Sequence, residues 1–235
     1  MTELEQALHR TVRGRVAADA QTLATHAADA SNHRHVPLAV VHPVDADDVA
    51  ATLAVCREHG APVLPRGAAT SIAGQAVNTA VVLDFRPHMH SVLSVDPVHH
   101  RATVQPGVVL DDLQRAVAPH GLRFGPDPST HRRATLGGMI GNNACGSHSV
   151  AWGKTVDNVR SLDVLTYRGE RLTAAAGSTL SGHRVLDALA LVRDRYGADV
   201  AAGFPQLTRR VSGYNLDELR TGGDSNLARA LVGTE

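Results

Sequence analysis

Residues 124–153 read FGPDPSTHRRATLGGMIGNNACGSHSVAWG, and the interpretation of the whole chain starts from this stretch. It is rich in glycine, carries the asparagines Asn142 and Asn143, and has almost no bulky apolar side chains. Glycine and asparagine tolerate positive φ angles, and glycine also lets the backbone approach a flat ligand closely. Pro126 and Pro128 stiffen the beginning of the stretch. The pattern predicts a ligand-binding bed of main-chain groups, with a flexible surface loop as the alternative.

A second glycine-containing segment, PRGAATSIAGQ, covers residues 65–75. It follows the short apolar run 61–64, which we interpret as a strand. Small residues, two hydroxyl groups and one arginine directly after a strand are typical of a turn that binds an anionic group through backbone N–H donors. Neither glycine-rich segment has the spacing of a P-loop or of the dinucleotide motif G-x-G-x-x-G. A nucleotide bound here would therefore be held by a backbone arrangement that differs from both the P-loop and the Rossmann motif.

Six motifs of the chain resemble the FAD-binding half of the FAD-linked oxidases, the flavin domain of the vanillyl-alcohol oxidase or p-cresol methylhydroxylase type. They are PRGAATSIAGQ, PGVVLDDLQ, FGPDPST, TLGGMIGNNACGS, WGKTVDNV and SGYNLDEL. Within this family the sequence is similar to the branch of D-lactate, glycolate and D-2-hydroxyglutarate dehydrogenases, particularly the large members with an iron–sulfur C-terminal region. The resemblance runs from about Val36 to the last residue. It implies an α+β fold, namely a two-lobed FAD-binding domain of the p-cresol methylhydroxylase type with FAD between the lobes.

The resemblance also implies a domain organisation. Residues 1–35 are expected to form an N-terminal helix and a lead-in, and residues 36–235 the FAD-binding domain. Within that domain, lobe one would cover about 36–90 and lobe two, truncated at its end, about 91–235. In the family the pattern continues past Glu235 into a further strand and a cap domain, which carries most substrate and metal ligands. We therefore expect a fragment that lacks the C-terminal cap domain and is inactive alone, with no catalytic residue and no metal ligand assigned.

The resemblance assigns FAD-binding roles to both glycine-rich segments and to the motif that follows them. Backbone N–H groups of residues 67–71 would hold the pyrophosphate, and Arg66 would either assist them or pair with a nearby acid. Glycines between 137 and 141 would let the main chain approach the flavin ring, and Asn142 or Asn143 would help to stabilise the reduced flavin. The predicted FAD-binding residues are Arg66, Gly67, Ala68, Ala69, Thr70, Ser71, Gly74, Gln75, Pro128, Ser129, Leu136, Gly137, Gly138, Gly141, Asn142, Asn143, Gly146, Gly153 and Val156.

Three of these positions carry a more specific expectation. Ser129 would contact the ribityl chain or the flavin rim, or else only end the proline-rich turn through its hydroxyl group. Ala69 stands where the family commonly has glycine, so the affinity for FAD would fall if this position requires a positive φ. Thr70 stands where covalent relatives carry histidine, and residues 60–75 contain no histidine. FAD is therefore expected to bind non-covalently.

The predicted function is that of the FAD-binding portion of a flavin-dependent oxidoreductase. Its substrate would be a small D-2-hydroxy acid of the D-lactate, glycolate or D-2-hydroxyglutarate type, oxidised by hydride transfer to flavin N5. An electron-transfer partner is compatible with this function. One alternative is a standalone or degenerate FAD-binding module without dehydrogenase activity. Another is a metal- or nucleotide-binding protein without flavin, although the pair His33 and His35 has no third ligand at a fixed spacing.

The composition excludes several other classes of protein. The 235 residues contain 23 Lys and Arg against 23 Asp and Glu, so a formal net charge of zero gives no electrostatic argument for a nucleic-acid or membrane partner. Cys56 and Cys145 are too few for a disulfide framework or an iron–sulfur site. The first residues do not have the pattern of a signal peptide, and no apolar run reaches the length of a membrane span. A cytoplasmic protein is expected.

Two helices are predicted with defined ends. Asp45 is a predicted N-cap for a helix whose apolar face includes Cys56, and the strands on either side complete a β-α-β unit in lobe one. Because it lies on this face, Cys56 is interpreted as a buried packing residue. A later amphipathic helix is predicted to begin at Ser178 or Ser181 and to stop at Gly197.

Overall fold

The computed structural model describes residues 1–205, 207, 210–211, 213–220 and 225–235. The chain divides into two compact units. The first unit contains residues 1–124, 129–138 and 165–170, and the second contains 125–128, 139–164 and 171–235. Helices and strands both contribute to the structure, so the predicted α+β class is confirmed.

A four-stranded sheet is the centre of the first unit. The elements of this unit are α1 (Glu3–Thr11), β1 (Arg15–Ala17), α2 (Ala20–His26), β2 (Ala39–His42), α3 (Ala46–Glu58), β3 (Val63–Arg66), β4 (Val81–Asp84), β5 (Val92–Asp96), β6 (Arg101–Val104) and α4 (Leu110–Val117). The sheet has the strand order β1-β2-β4-β3, in which β2, β4 and β3 are parallel and β1 runs antiparallel to β2. Strands β5 and β6 form a separate antiparallel pair. Since α3 connects β2 to β3, the predicted β-α-β unit is confirmed.

Helix α3 shows why the local sequence folds as predicted. The Asp45 carboxylate accepts hydrogen bonds from the backbone N–H groups of Asp47 and Asp48, both at 3.0 Å, which satisfies two donors at the start of the helix. Cys56 is fully buried in the core of this unit, as predicted. Burial raises the pKa of the Cys56 thiol to about 11. The thiol therefore stays protonated at neutral pH and acts as a packing group.

The segment between residues 14 and 32 is more ordered than its sequence indicates. Strand β1 has only three residues, which is too short to show a clear periodicity, but it pairs with β2 and places Val16 opposite Val41. Helix α2 begins after Asp19, whose carboxylate accepts a hydrogen bond from the Thr22 N–H at 2.9 Å. Pairing with β2 and side-chain capping therefore give this polar stretch a regular structure within the first unit.

The second unit is largely helical. The elements from residue 136 onward are α5 (Leu136–Asn142), α6 (Ser149–Trp152), α7 (Thr155–Asn158), β7 (Ser161–Leu165), β8 (Arg171–Ala175), α8 (Arg184–Gly203), a 3-10 turn (Leu216–Glu218) and α9 (Leu227–Leu231). Helix α5 begins among residues of the first unit and ends among residues of the second. Strands β7 and β8 pair in a two-stranded sheet. One buried hydrophobic cluster of the second unit contains Ala174, Leu180, Leu219, Leu227 and Ala230.

The glycine-rich stretch, predicted to be a bed of main-chain groups or a flexible loop, contains α5 and α6, and Leu136 and Met139 are buried on α5. The predicted bounds of the later amphipathic helix were wrong. Helix α8 begins after His183 and continues past Gly197 to Gly203. A single glycine costs a helix only about 1 kcal/mol, which a helix of 20 residues tolerates. In the described part of the chain, no helix is both long and apolar enough to cross a membrane.

Candidate functional site

The turn that follows β3 presents unpaired main-chain donors. Residues 67 and 68 form a bend and residues 69–71 have no regular structure, so these amides belong to no helix or strand. Within the described residues, the N–H groups of Ala68–Ser71 donate to no protein acceptor, and all four residues are half-buried. Partly buried N–H groups need water or a ligand as acceptor. Adjacent donors of this kind suit an oxyanion group.

Ala69 lies in the left-handed region, with a φ of 54°. From the sequence, the affinity for FAD was expected to fall if this position requires a positive φ. In the structure, the φ of Ala69 is positive. The carbonyl of Ala69 accepts a hydrogen bond of 3.2 Å from the N–H of Ala30, which ties the turn to the segment after α2. Alanine in this conformation is strained where glycine would not be.

Arg66 supports the turn from inside the protein. Its side chain is buried, and the guanidinium donates to the backbone carbonyl oxygens of His26 at 3.0 Å, Ala28 at 2.8 Å and Ala76 at 2.8 Å. The first two carbonyls belong to the end of α2 and the residues that follow it, and the third belongs to the segment after the turn. The sequence left two roles open for Arg66, a ligand contact or an ion pair. In the structure, its hydrogen bonds to carbonyl groups connect the end of β3 to the end of α2 and to the segment after the turn.

A buried carboxylate lies beside Arg66. Asp84, the last residue of β4, is opposite Arg66 in the sheet register. Its oxygens accept hydrogen bonds from Arg86 Nε at 2.9 Å and from a terminal guanidinium nitrogen of Arg86 at 2.7 Å, and His26 Nε2 lies 3.3 Å away. Burial opposes ionisation of Asp84, but the hydrogen bonds from His26 and Arg86 outweigh it and hold the pKa of the carboxyl well below its ordinary value. The carboxylate is therefore ionised at neutral pH.

The start of α5 is held against the same unit by main-chain hydrogen bonds. The N–H of Leu136 donates to the Val108 carbonyl and the N–H of Gly137 to the Pro106 carbonyl, both at 2.8 Å. The N–H of Gly138 donates to the Thr135 hydroxyl at 3.3 Å. The first three amides of α5 are therefore occupied by protein acceptors. The contacts with residues 106 and 108 are not visible in a local sequence pattern.

The glycines of the site fall into two groups according to what a side chain would meet. A Cβ on Gly67 would overlap the Thr135 hydroxyl, and a Cβ on Gly137 would lie 2.9 Å from the carbonyl oxygen of Pro106. These glycines are required by the protein itself. A Cβ on Gly138 would meet only the Thr135 hydroxyl, at 3.2 Å, and one on Gly141 would meet only Glu235, at 3.6 Å. The contact at Gly138 would be tight, whereas the contact at Gly141 would be an ordinary one, so the neighbours of Gly141 do not themselves require glycine at that position.

Residues of the second unit in the predicted set are mostly held by their own hydrogen bonds. Asn143 is buried, has a φ of 48°, and accepts a hydrogen bond from the Val156 N–H at 3.0 Å through its side-chain oxygen. Gly146 packs so closely on the backbone of Asp127 that no side chain would fit. Gly153 has a φ of 75° and ends α6. Asn142 donates from its side chain to the Glu235 carboxylate. These residues shape the loop around 143–146.

Six further predicted residues lie in or near the two glycine-rich segments. Thr70 and Ser71 are half-buried in the turn, Pro128 is half-buried, and Ser129 is exposed. Gly74 has a φ of 88° and packs against the imidazole ring of His33. Gln75 is half-buried in the same turn.

Asn215 and Tyr214 belong to the motif SGYNLDEL, whose Ser212 lies outside the described residues. The side-chain amide of Asn215 donates to the carbonyl oxygens of Arg229 at 2.8 Å and Val232 at 3.1 Å, and its oxygen accepts from Arg210. Asn215 therefore stabilises the second unit, while Tyr214 is exposed.

The turn after β3 offers half-buried main-chain donors, and its sequence has neither the Rossmann nor the P-loop spacing. Residues 37–175 match the protein family described as FAD binding domain, and the chain belongs to this family.

Curated relatives and solved structures agree with this family. A D-2-hydroxyglutarate dehydrogenase of Pseudomonas putida is 35% identical over 99% of the chain and 24% of its own length. Glycolate oxidase subunit GlcD of Escherichia coli is 41% identical over 61% of the chain and 29% of its own length. The crystallised xylooligosaccharide oxidase of Myceliophthora thermophila aligns with a TM-score of 0.65 at 24% identity, over 74% of the chain and 37% of that structure, which shows a shared fold. The chain thus spans about a quarter of the length of the dehydrogenase.

Proposed function

We propose that this chain binds FAD non-covalently and forms the flavin-binding portion of an oxidoreductase for a small D-2-hydroxy acid. The observation that carries the proposal is the row of half-buried N–H groups at Ala68–Ser71, which lack acceptors among the described residues. A pyrophosphate supplies oxygen acceptors for such donors, and the chain has no net positive charge to attract it otherwise. The carbonyl contacts of Arg66 would keep these donors in place before the cofactor arrives.

The flavin side of the proposal rests on α5. Gly138 is exposed and Gly141 is half-buried, and neither meets a neighbouring backbone that would exclude a side chain. Glycine at these positions would allow the helix backbone to approach a flat ring. Bound FAD would supply the hydride acceptor, its N5 atom, for oxidation of the substrate hydroxyl carbon. The chain's own residues would bind the cofactor, orient it and limit the access of water to it.

The non-covalent mode is supported by the residues of the turn. The family resemblance places Thr70 where covalent relatives carry histidine, and no histidine occurs between residues 60 and 75. The substrate class is supported by the names of the relatives, a D-2-hydroxyglutarate dehydrogenase at 35% identity and a glycolate oxidase subunit at 41% identity. We propose that the substrate-side groups lie in the longer part of such proteins, and that reduced flavin is reoxidised by an electron-transfer partner.

The test compares two helical glycines that the protein itself leaves open. Gly141→Val should abolish FAD binding, measured by flavin absorbance after gel filtration, because the side chain would occupy the space proposed for the ring. Gly197→Val is the matched control, since a Cβ on Gly197 in α8 meets nothing within 4 Å. It should keep its flavin. Normal flavin content in Gly141→Val would show that α5 does not face the cofactor.

A second experiment separates flavin binding from the proposed reaction. The FAD-loaded protein is mixed anaerobically with D-lactate, glycolate or D-2-hydroxyglutarate, and flavin bleaching is followed with and without the downstream polypeptide of a long relative. Bleaching that requires this polypeptide is the expected result. Tight FAD binding with no bleaching under either condition would instead favour a flavin-binding module without dehydrogenase activity.

A further inference from the structure

One threonine of the first unit contacts both the turn after β3 and the first turn of α5. Thr135 is almost completely buried, at 2% exposure, and immediately precedes α5. We propose that Thr135 is a positioning residue that fixes the start of α5 against the turn after β3, so that both are preorganised for one FAD molecule. This inference rests on the proposed function.

The first contact of Thr135 is with α5. Its hydroxyl oxygen accepts a hydrogen bond of 3.3 Å from the N–H of Gly138, the third residue of the helix. This is the geometry of a helix N-cap, in which a side-chain oxygen satisfies one of the otherwise unpaired first donors. The hydroxyl therefore fixes the orientation of the first turn of α5 relative to Thr135.

The second contact of Thr135 is with the turn. A Cβ built on Gly67 would overlap the Thr135 hydroxyl oxygen, and the Thr135 methyl group would be 3.7 Å from that Cβ. The backbone at Gly67 therefore lies directly against the hydroxyl that caps α5. Gly67 is followed at once by Ala68–Ser71, whose N–H groups are proposed to bind the pyrophosphate.

The backbone of Thr135 is itself immobilised by its neighbours. Thr135 forms an isolated antiparallel bridge with Val109, and the next two residues donate hydrogen bonds to the carbonyls of Val108 and Pro106. A displacement of the hydroxyl group is therefore not absorbed by movement of residue 135. A substitution at Gly67 should therefore affect the first turn of α5, and a substitution at Thr135 should affect the turn after β3. Such energetic coupling is expected when one residue positions both segments.

A double-mutant cycle tests the contact on the FAD-free protein. Gly67→Ala alone should lower the urea midpoint of unfolding, because its Cβ would overlap the Thr135 hydroxyl. In the double variant Gly67→Ala with Thr135→Ala, the nearest side-chain atom is the Cβ of residue 135 at 3.4 Å, an ordinary contact. In this background, Gly67→Ala should lower the urea midpoint much less. Equal costs of Gly67→Ala in both backgrounds would overturn the contact and with it the proposal.

FAD titration of three variants tests the functional role. Thr135→Ser keeps the hydroxyl oxygen and should bind FAD within about threefold of the wild type, whereas Thr135→Val removes it and should weaken binding at least about tenfold. Thr52→Val is the control, because Thr52 is a buried threonine of α3 whose hydroxyl donates to the Asp48 carbonyl at 2.8 Å, away from the turn. It should lose stability but not FAD affinity.

The outcomes separate this proposal from the proposed function. Equal losses of affinity in Thr135→Val and Thr52→Val, in proportion to their losses of stability, would reduce Thr135 to an ordinary core residue. A serine variant that binds as poorly as the valine variant would also overturn the role of the hydroxyl. A wild-type chain that binds no FAD would overturn the proposed function and this proposal together, whereas normal wild-type binding with an additive cycle would overturn this proposal alone.

Discussion

Replacement of Ala69 by glycine should stabilise the protein, although glycine usually destabilises. Ala69 has a φ of 54°, and an L-residue in the left-handed region carries a strain of about 1–2 kcal/mol. Glycine removes that strain but adds about 0.5–1 kcal/mol of conformational entropy to the unfolded chain. The expected net gain in the free energy of unfolding is therefore about 0.5–1 kcal/mol.

The neighbouring alanine provides the control. Ala68 does not have a positive φ, so Ala68→Gly brings only the entropic cost and should destabilise by about 0.5–1 kcal/mol. The entropic cost is the same in both variants. The difference between their free energies of unfolding, about 1–2 kcal/mol, therefore measures the strain at Ala69 directly.

The assay is unfolding of the FAD-free variants in urea and by heat, followed by far-ultraviolet circular dichroism. For a chain of this size, 1 kcal/mol corresponds to a shift in Tm of about 2–4 °C. Ala69→Gly should melt above the wild type and Ala68→Gly below it. If both variants lost the same stability, the left-handed conformation of Ala69 would carry no strain, and the reasoning would be refuted.

Four other predictions can be tested. Asp84→Asn should cost about 3 kcal/mol, because it removes the buried negative charge and one of the two oxygens that accept hydrogen bonds from His26 and Arg86. Asp199→Asn on the exposed surface of α8 should be neutral in the same urea assay. The pKa of Asp84 is lower in the folded protein than in the unfolded chain, so its contribution to the free energy of unfolding is complete above the ordinary aspartate pKa of about 4 and is lost as the pH falls below that value. The wild type should therefore lose stability in acid more steeply than Asp84→Asn. Parallel pH profiles of the two proteins would contradict this. Acid precipitation should release all flavin into the supernatant, and yellow colour in the pellet would show a covalent link. Cys145→Ser should retain full flavin content and an unchanged spectrum, because no second cysteine lies near Cys145 in the sequence, whereas a flavin–sulfur adduct in mass spectrometry of the wild type would assign Cys145 a redox role.

The parts of the fold predicted from sequence are those set by local chemistry. Asp45 begins α3 because a carboxylate can bond the amides two and three residues ahead, and the position of Cys56 on the buried face follows from helical spacing. Strand β1 escaped prediction because three residues carry no periodicity, and its structure depends on pairing with β2. Local signals therefore identified long elements and missed those that depend on a distant partner.

The same distinction applies to the candidate site. Glycine content alone marked Gly67, Gly137 and Gly141 as equivalent, but only the structure shows that the first two are excluded from carrying side chains by Thr135 and Pro106. The role of Thr135 depends on a contact between residues far apart in sequence. The one local signal was a threonine placed immediately before the first residue of α5, which is the pattern of an N-cap.

The carbonyl contacts of Arg66 bear on how this domain can be shortened. The family match begins at residue 37, yet the buried guanidinium finds two of its acceptors at His26 and Ala28. A recombinant version trimmed to the matched residues would leave two charged donors buried without acceptors and would strip β1 from the edge of the sheet. The smallest version expected to stay soluble therefore includes the residues upstream of the match, and expression trials should take their N-terminal boundary from these contacts rather than from the family alignment.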